Sequence, residues 1–279
     1  MFAIVPFRPV IGFTAALLAC VTMATAHAQD ASPWAQDDHS AVRLLAGSRS
    51  GAVILGGIAF RLQPGWKTYW RTPGDSGVPP RFDFSKSENV EAVTVLWPAP
   101  VSFPDGAGGI SLGYKEQVVL PLRIVPKVTD KPVTLRMTIS YAVCDKLCVP
   151  VEAHTELPFV SVVSTEDSTL SSALDAVPKP ANIGDPNPLT IRDVRREGPS
   201  NVIVDVVTPA TEEPQLYVEG PTPDWALPTP KLIETSDPDT KRFAFALDGL
   251  PSGANVEGAA LKLTLVGKTR AYEFNVNLD

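Results

Sequence analysis

The sequence predicts an all-β protein of two β-sandwich domains joined by a short helix and a Pro-rich linker, and three observations predict it. Short apolar stretches recur at regular spacing, turn-forming residues separate them, and one stretch alternates cleanly. In Thr134–Tyr141, Leu135, Met137, Ile139 and Tyr141 fall on one face while Thr134, Arg136, Thr138 and Ser140 fall on the other. That period of two marks a half-buried antiparallel strand. The 28 prolines and 19 glycines among 279 residues supply the turns, and 44% hydrophobic content excludes a disordered or collagen-like chain. A chain of this length can bury one or two real cores without metals or bridges. Its net charge of −7 gives no electrostatic attraction for nucleic acid or an anionic membrane.

Residues 1–28 read as a secretory signal: Arg8 is the early charge, Val10 to Thr25 is an apolar run, and Ala26-His27-Ala28 is a small-residue cleavage site. A lipoprotein signal ending at Cys20 fits less well, because Leu18 precedes the small Ala19. No run of about 18 apolar residues follows, so the mature chain is not expected to span a membrane.

The first domain is placed at residues 29–163. Trp34 to Arg43 reads as a polar lead-in, followed by strands at Gly51–Leu62, Ala92–Trp97, Gln117–Val125, Val133–Tyr141 and Val149–Val162. Turns fall at 72–77, 79–80, 98–100, 105–109 and 130–132. Residues 164–188 connect the domains. Within them Leu170, Ala173, Leu174 and Val177 fall on one helical face over Thr165–Val177, and four prolines crowd Pro178–Pro188 into a stiff linker. Residues 189–279 return to strands at Leu189–Val194, Val202–Val207, Gln215–Glu219, Arg242–Leu247, Leu261–Val266 and Tyr272–Leu278. This second small sandwich has no Cys and no His, so it reads as a packing or docking module.

Once Cys20 leaves with the signal, Cys144 and Cys148 remain, separated by Asp145-Lys146-Leu147. If the flanking segments form a hairpin, the cysteines stand opposite each other with Cα atoms about 4.5–5.5 Å apart, within bridging range. Closing so short a ring gains only about 2 kcal/mol of chain entropy, a weak reason for a staple. Spacing alone leaves two readings open, a reversible dithiol/disulfide or a local structural bridge. A thioredoxin-type centre is disfavoured, since the gap is three residues and no βαβ unit surrounds it. The other strong donors are His39 and His154, too few for structural zinc, so no metal or cofactor residue is assigned. Cu(I) handling through Cys144, Cys148 and His154 remains an alternative. His154 itself reads as a strand-surface residue, Asp75 and Asp105 as turn formers, and the aromatics of Trp66–Trp70 as core.

Four collinear motifs then carry a likeness: Gly65-Trp-Lys-Thr-Tyr-Trp-Arg-Thr-Pro-Gly-Asp-Ser-Gly77, Val95-Leu-Trp-Pro-Ala-Pro100, Gly113-Tyr-Lys-Glu-Gln-Val-Val-Leu-Pro121 and Tyr141-Ala-Val-Cys-Asp-Lys-Leu-Cys-Val-Pro150. Together they resemble the exported N-terminal domain of the DsbD/ScsB family of thiol:disulfide interchange proteins. The resemblance implies an immunoglobulin-like domain in the periplasm whose paired cysteines, Cys144 and Cys148, relay reducing equivalents. It also implies a membrane reductant upstream, and isomerases or thioredoxin-like cytochrome c maturation proteins downstream, with Cys148 forming the mixed disulfide. Such a protein is a disulfide-reductase-type relay. The family's shielding loop maps to Phe103–Ile110, making Phe103 the candidate cap with Ile110 or Tyr114 as substitutes. The three-residue gap is shorter than in the best-known members. This chain shows neither a multi-helix membrane domain nor a thioredoxin-like domain, so its electrons are expected from a separate protein. A binding module with a permanent disulfide is the reading from another functional class.

Overall fold

The alternating stretch at Thr134–Tyr141 is the middle of a longer strand in the computed structural model, and Leu135, Met137, Ile139 and Tyr141 are all 3% exposed or less. The structure describes Met1 and residues 29–49, 51–233 and 240–279; the expected signal, with Cys20, lies outside the described residues. Chain order in the first sandwich is β1 (Ala35–Gln36), β2 (Ser40–Ala46), β3 (Ile54–Leu62), β4 (Lys67–Gly74), β5 (Arg81–Asp83), β6 (Val90–Val95), β7 (Val101–Pro104), β8 (Ile110–Lys115), β9 (Gln117–Pro126), β10 (Val133–Cys144) and β11 (Cys148–Phe159). One sheet runs β1-β2-β3-β9-β6 and the other β11-β10-β4-β8-β7, with β5 also on β10. Their inner faces close over Trp70, Phe60, Phe159 and the aliphatic residues between them. Burial of so many aromatic and branched side chains is the main force holding the two sheets face to face.

After α1 (Asp167–Asp175) the chain adds β12 (Lys179–Ala181), β13 (Thr190–Glu197), β14 (Asn201–Val207), β15 (Gln215–Glu219), β16 (Lys231–Ile233), β17 (Thr240–Ala246), β18 (Ala260–Val266) and β19 (Ala271–Asn277). The sheets β12-β19-β18-β15 and β13-β14-β17-β16 form the second sandwich around Phe243, Phe245 and Phe274. The protein is therefore all-β, with an immunoglobulin-like first sandwich and a second sandwich of two four-stranded sheets.

Several elements differ from the sequence expectation for identifiable reasons. The lead-in runs into a full strand, Ser40–Ala46, whose two faces are both covered, so no polar alternation announces it. The Trp-rich stretch is likewise a strand, Lys67–Gly74, that holds a proline and a glycine in its last turn. Within the Pro-rich segment, Lys179–Ala181 pairs in parallel with β19, so the second sandwich begins there. The helix lies against the first sandwich: Leu170 is fully buried on Leu45 and Ala59.

A buried hydroxyl pair ties the two sheets of the first sandwich together, Ser40 Oγ and Tyr141 Oη at 2.7 Å. Tyr141→Phe removes that bond but leaves Ser40 its Asp37 acceptor. The expected cost is about 1 kcal/mol in denaturant unfolding, the size of one net hydrogen bond.

Candidate redox site

The β10–β11 hairpin sets Cys144 directly opposite Cys148, with Cα atoms 4.1 Å apart and the sulfurs joined in a disulfide. The two halves of this bond live in different surroundings. Cys144 ends a strand flanked by β11 on one side and β4 on the other and is 2% exposed. Cys148 opens an edge strand and is exposed, as are the loop residues before it, with Leu147 at 78%.

Cys144 packs in a small buried cluster with Tyr69, Phe103 and Ala142. Its position follows from the pairing of β4 with β10, where Lys67 stands opposite Cys144 and Thr68 opposite Val143. Thr68 Oγ1 also donates to the Ala142 carbonyl at 2.9 Å, fixing the two strands side by side. The next residue, Tyr69, then brings its hydroxyl to 3.2 Å from Cys144 Sγ and 3.4 Å from Cys148 Sγ. Disulfide sulfurs carry no hydrogen, so the phenol is the donor. Burial, and next the negative charge of Asp105, push the Tyr69 phenol above its ordinary pKa, keeping that proton in place. Gly77 lies against the ring at φ +140°; a Cβ there would come within 2.3 Å of Tyr69 Cε1. Only glycine fits a position that needs both that backbone angle and that clearance.

Phe103 packs beside Tyr69 in that cluster, its ring centre 6.5 Å from that of Tyr69. Two ammonium groups lie over Phe103, Lys67 Nζ at 4.6 Å and Lys115 Nζ at 5.7 Å from the ring centre. Two lysines therefore flank a site that also carries Asp145 in its loop and feels the charge of Asp105.

The structure thus brings Cys144, Cys148 and Phe103 together. It places Tyr114 in the main core, with its hydroxyl donating to the Pro98 carbonyl at 2.8 Å. Ile110 is 39% exposed at the start of β8, where it pairs with Pro104. Asp105 accepts the Ala107 and Gly109 amides, and Asp75 accepts that of Ile110, so both shape turns. Trp70 is fully buried, and Trp66 stacks on His39 at 3.8 Å. His154 sits opposite Thr138, bonded to its hydroxyl at 3.0 Å and 3.2 Å from Glu152. Six residues of extended strand put it roughly 20 Å from Cys148, out of reach of any ion held by the cysteines. Among the described residues no group of three or more His, Cys, Asp or Glu could hold a metal. Tyr69 and Lys67 are the site residues that sequence reasoning missed, since nothing local links them to cysteines 75 positions away.

Residues 38–159 match the family model described as the N-terminal part of thiol:disulfide interchange protein DsbD. Among solved structures, the N-terminal periplasmic domain of ScsB from Proteus mirabilis superposes with a TM-score of 0.71 at 22% identity, covering 89% of this chain and 98% of that one. The shared fold therefore runs through both sandwiches. A conserved domain protein from Bacillus anthracis aligns over 83% of this chain and 75% of its own at 9% identity, but its TM-score of 0.25 carries no argument. No curated protein matches the sequence.

Proposed function

We propose that the protein, whose residues 38–159 match the DsbD N-terminal family model, is a periplasmic thiol:disulfide relay, passing reducing equivalents from an inner-membrane reductant to envelope partners through Cys144 and Cys148. The observation that carries this reading is the asymmetry of the disulfide: one sulfur faces outward, the other is buried, and a phenol donor touches both.

That asymmetry orders the chemistry. A thiolate of the reductant attacks Cys148 Sγ, the exposed sulfur, forming a mixed disulfide and breaking the Cys144–Cys148 bond. The electron pair leaves on Cys144 Sγ, where Tyr69 donates a hydrogen bond to the new thiolate and makes it a better leaving group. The reductant's second thiolate then attacks its own half of the mixed disulfide and releases Cys148. The reductant ends as a disulfide, and the relay as a dithiol after gaining two electrons and two protons. Delivery runs in reverse, with Cys148 attacking the target disulfide and Cys144 resolving the intermediate. The pair sits at a hairpin tip, so docking of a partner rather than enclosure of a small substrate sets specificity.

Equilibration with a glutathione redox buffer tests the proposal. A reduction potential above about −300 mV is expected of an exchange centre, whereas a lower one marks a permanent structural bridge. Tyr69→Phe refines the test. Loss of a hydrogen bond to a charged thiolate should slow opening of the disulfide by a small dithiol roughly tenfold and raise the Cys144 thiol pKa. Stopped-flow reduction and a thiolate absorbance titration read these two effects.

A further inference from the structure

The outer face of the first sheet carries a feature that thiol exchange does not use. Register places Arg43 opposite Ala59, and Arg61 opposite both Ala41 and Gln117, so the two arginines stand on the face turned away from the core. Helix α1 covers one end of that face through Leu170. The other end is open, a groove of about 590 Å³ between the helix and Trp34. Both guanidiniums stack on Trp34, that of Arg43 at 4.6 Å and that of Arg61 at 4.8 Å from the ring centre. Stacking occupies the flat face of a guanidinium and leaves its edge of N–H donors available.

Among the described residues those donors have no acceptor: neither guanidinium forms an ion pair or hydrogen bond, and Arg43 Nε is buried without a hydrogen-bond partner. Glu166 is the single carboxylate lining the groove, and it pairs with neither arginine. Two guanidiniums held on one indole ring present charge-assisted donors suited to a planar or tetrahedral oxyanion. Val119 and Ala173 add apolar surface to a lining that also includes Gln117, Thr169 and Ser172. We propose that this groove binds a small amphiphilic anion, its phosphate or carboxylate head held by Arg43 and Arg61 beside Trp34 and its apolar body laid along Val119 and Ala173.

Titrating n-hexyl phosphate into the folded, oxidised protein tests this by NMR at the Trp34 indole and the arginine Nε–H groups. Saturable shifts at Trp34, Arg43 and Arg61 are expected, with weaker binding of inorganic phosphate, which lacks the apolar body. Arg61→Gln should weaken hexyl phosphate by about tenfold, the loss of one charge-assisted contact. Arg61 is exposed, so its thermal transition and thiol-exchange rate should match those of the unaltered protein. Flotation with phosphatidylglycerol vesicles separates the sources of such a head group. Co-flotation that Arg61→Gln abolishes identifies a lipid, while hexyl phosphate binding without co-flotation identifies a soluble ligand. Shifts that never saturate, that are equal for inorganic phosphate, or that survive both Arg61→Gln and Arg43→Gln overturn the proposal, leaving the arginines as a cover for Trp34. None of these readouts passes through the cysteines, so failure here is distinct from failure of the relay.

Discussion

Cys144→Ala should accumulate mixed disulfides with envelope thiol proteins, and Cys148→Ala should accumulate almost none. The reason is access. Cys148 is exposed at the mouth of the hairpin, whereas Cys144 is 2% exposed, packed against Tyr69 and Phe103. A thiolate must approach along the axis of the bond it breaks, and at Cys144 that approach is filled by protein. In the first variant, Cys148 keeps its position and the hydroxyl of Tyr69, but the thiol that would resolve a captured partner is gone. In the second, the surviving thiol is covered. The difference in alkylation rate of the two single-cysteine proteins should be roughly a hundredfold, which mass spectrometry of a quenched time course resolves. Both variants should stay folded, because the five-residue ring contributes only about 2 kcal/mol. Equal alkylation, or no captured protein from either variant, would remove the chemical basis of the relay.

How much of this was legible in the sequence depends on how local each feature is. The Thr134–Tyr141 strand announced itself because one face is buried and the other wet, and the hairpin followed from two cysteines around a three-residue loop. Strands buried on both faces gave no such signal. Ser40–Ala46 carries apolar residues on both sides of Arg43, and Lys67–Gly74 ends in Pro73 and Gly74, which read as a turn. The parallel pairing of Lys179–Ala181 with β19 joins residues over ninety positions apart inside a proline-rich stretch, where composition argues for a linker. Tyr69 was hidden for a related reason. Its aromatic neighbourhood was visible, but its role depends on β4 lying beside β10, a non-local contact that no short motif encodes. Of the shielding candidates, Phe103 lies against Cys144, whereas Tyr114 sits in the main core with its hydroxyl on the Pro98 carbonyl.

The largest expected effect on stability lies where the two sandwiches meet, at Arg71→Met. Arg71 comes two residues after Tyr69 on β4 and reaches across to the second sandwich. Its guanidinium binds both oxygens of Glu219, at 2.6 to 3.1 Å, and Glu273 at 2.5 Å. Thr72 Oγ1 adds a bond to Glu219 at 2.9 Å, and Lys262 approaches Glu273 at 3.4 Å. The three central side chains are only 15–22% exposed. Removing the guanidinium therefore leaves two partly buried carboxylates with only the Thr72 hydroxyl on one and the Lys262 ammonium on the other. Uncompensated buried charge of this kind costs up to 3–5 kcal/mol, and the residual exposure brings the expectation to about 3 kcal/mol. Denaturant unfolding should show that loss, and Arg71→Met/Glu219→Gln should lose less than the sum of the single changes, because the second substitution removes one of the stranded charges. The same strand bears the donor to the disulfide, so loosening its far end should also slow reduction of Cys144–Cys148 by a small dithiol. If stability falls while that rate stays fixed, the second sandwich braces the fold without holding Tyr69 in place; if both fall together, the module that has no redox residue of its own sets the geometry of the one beside it.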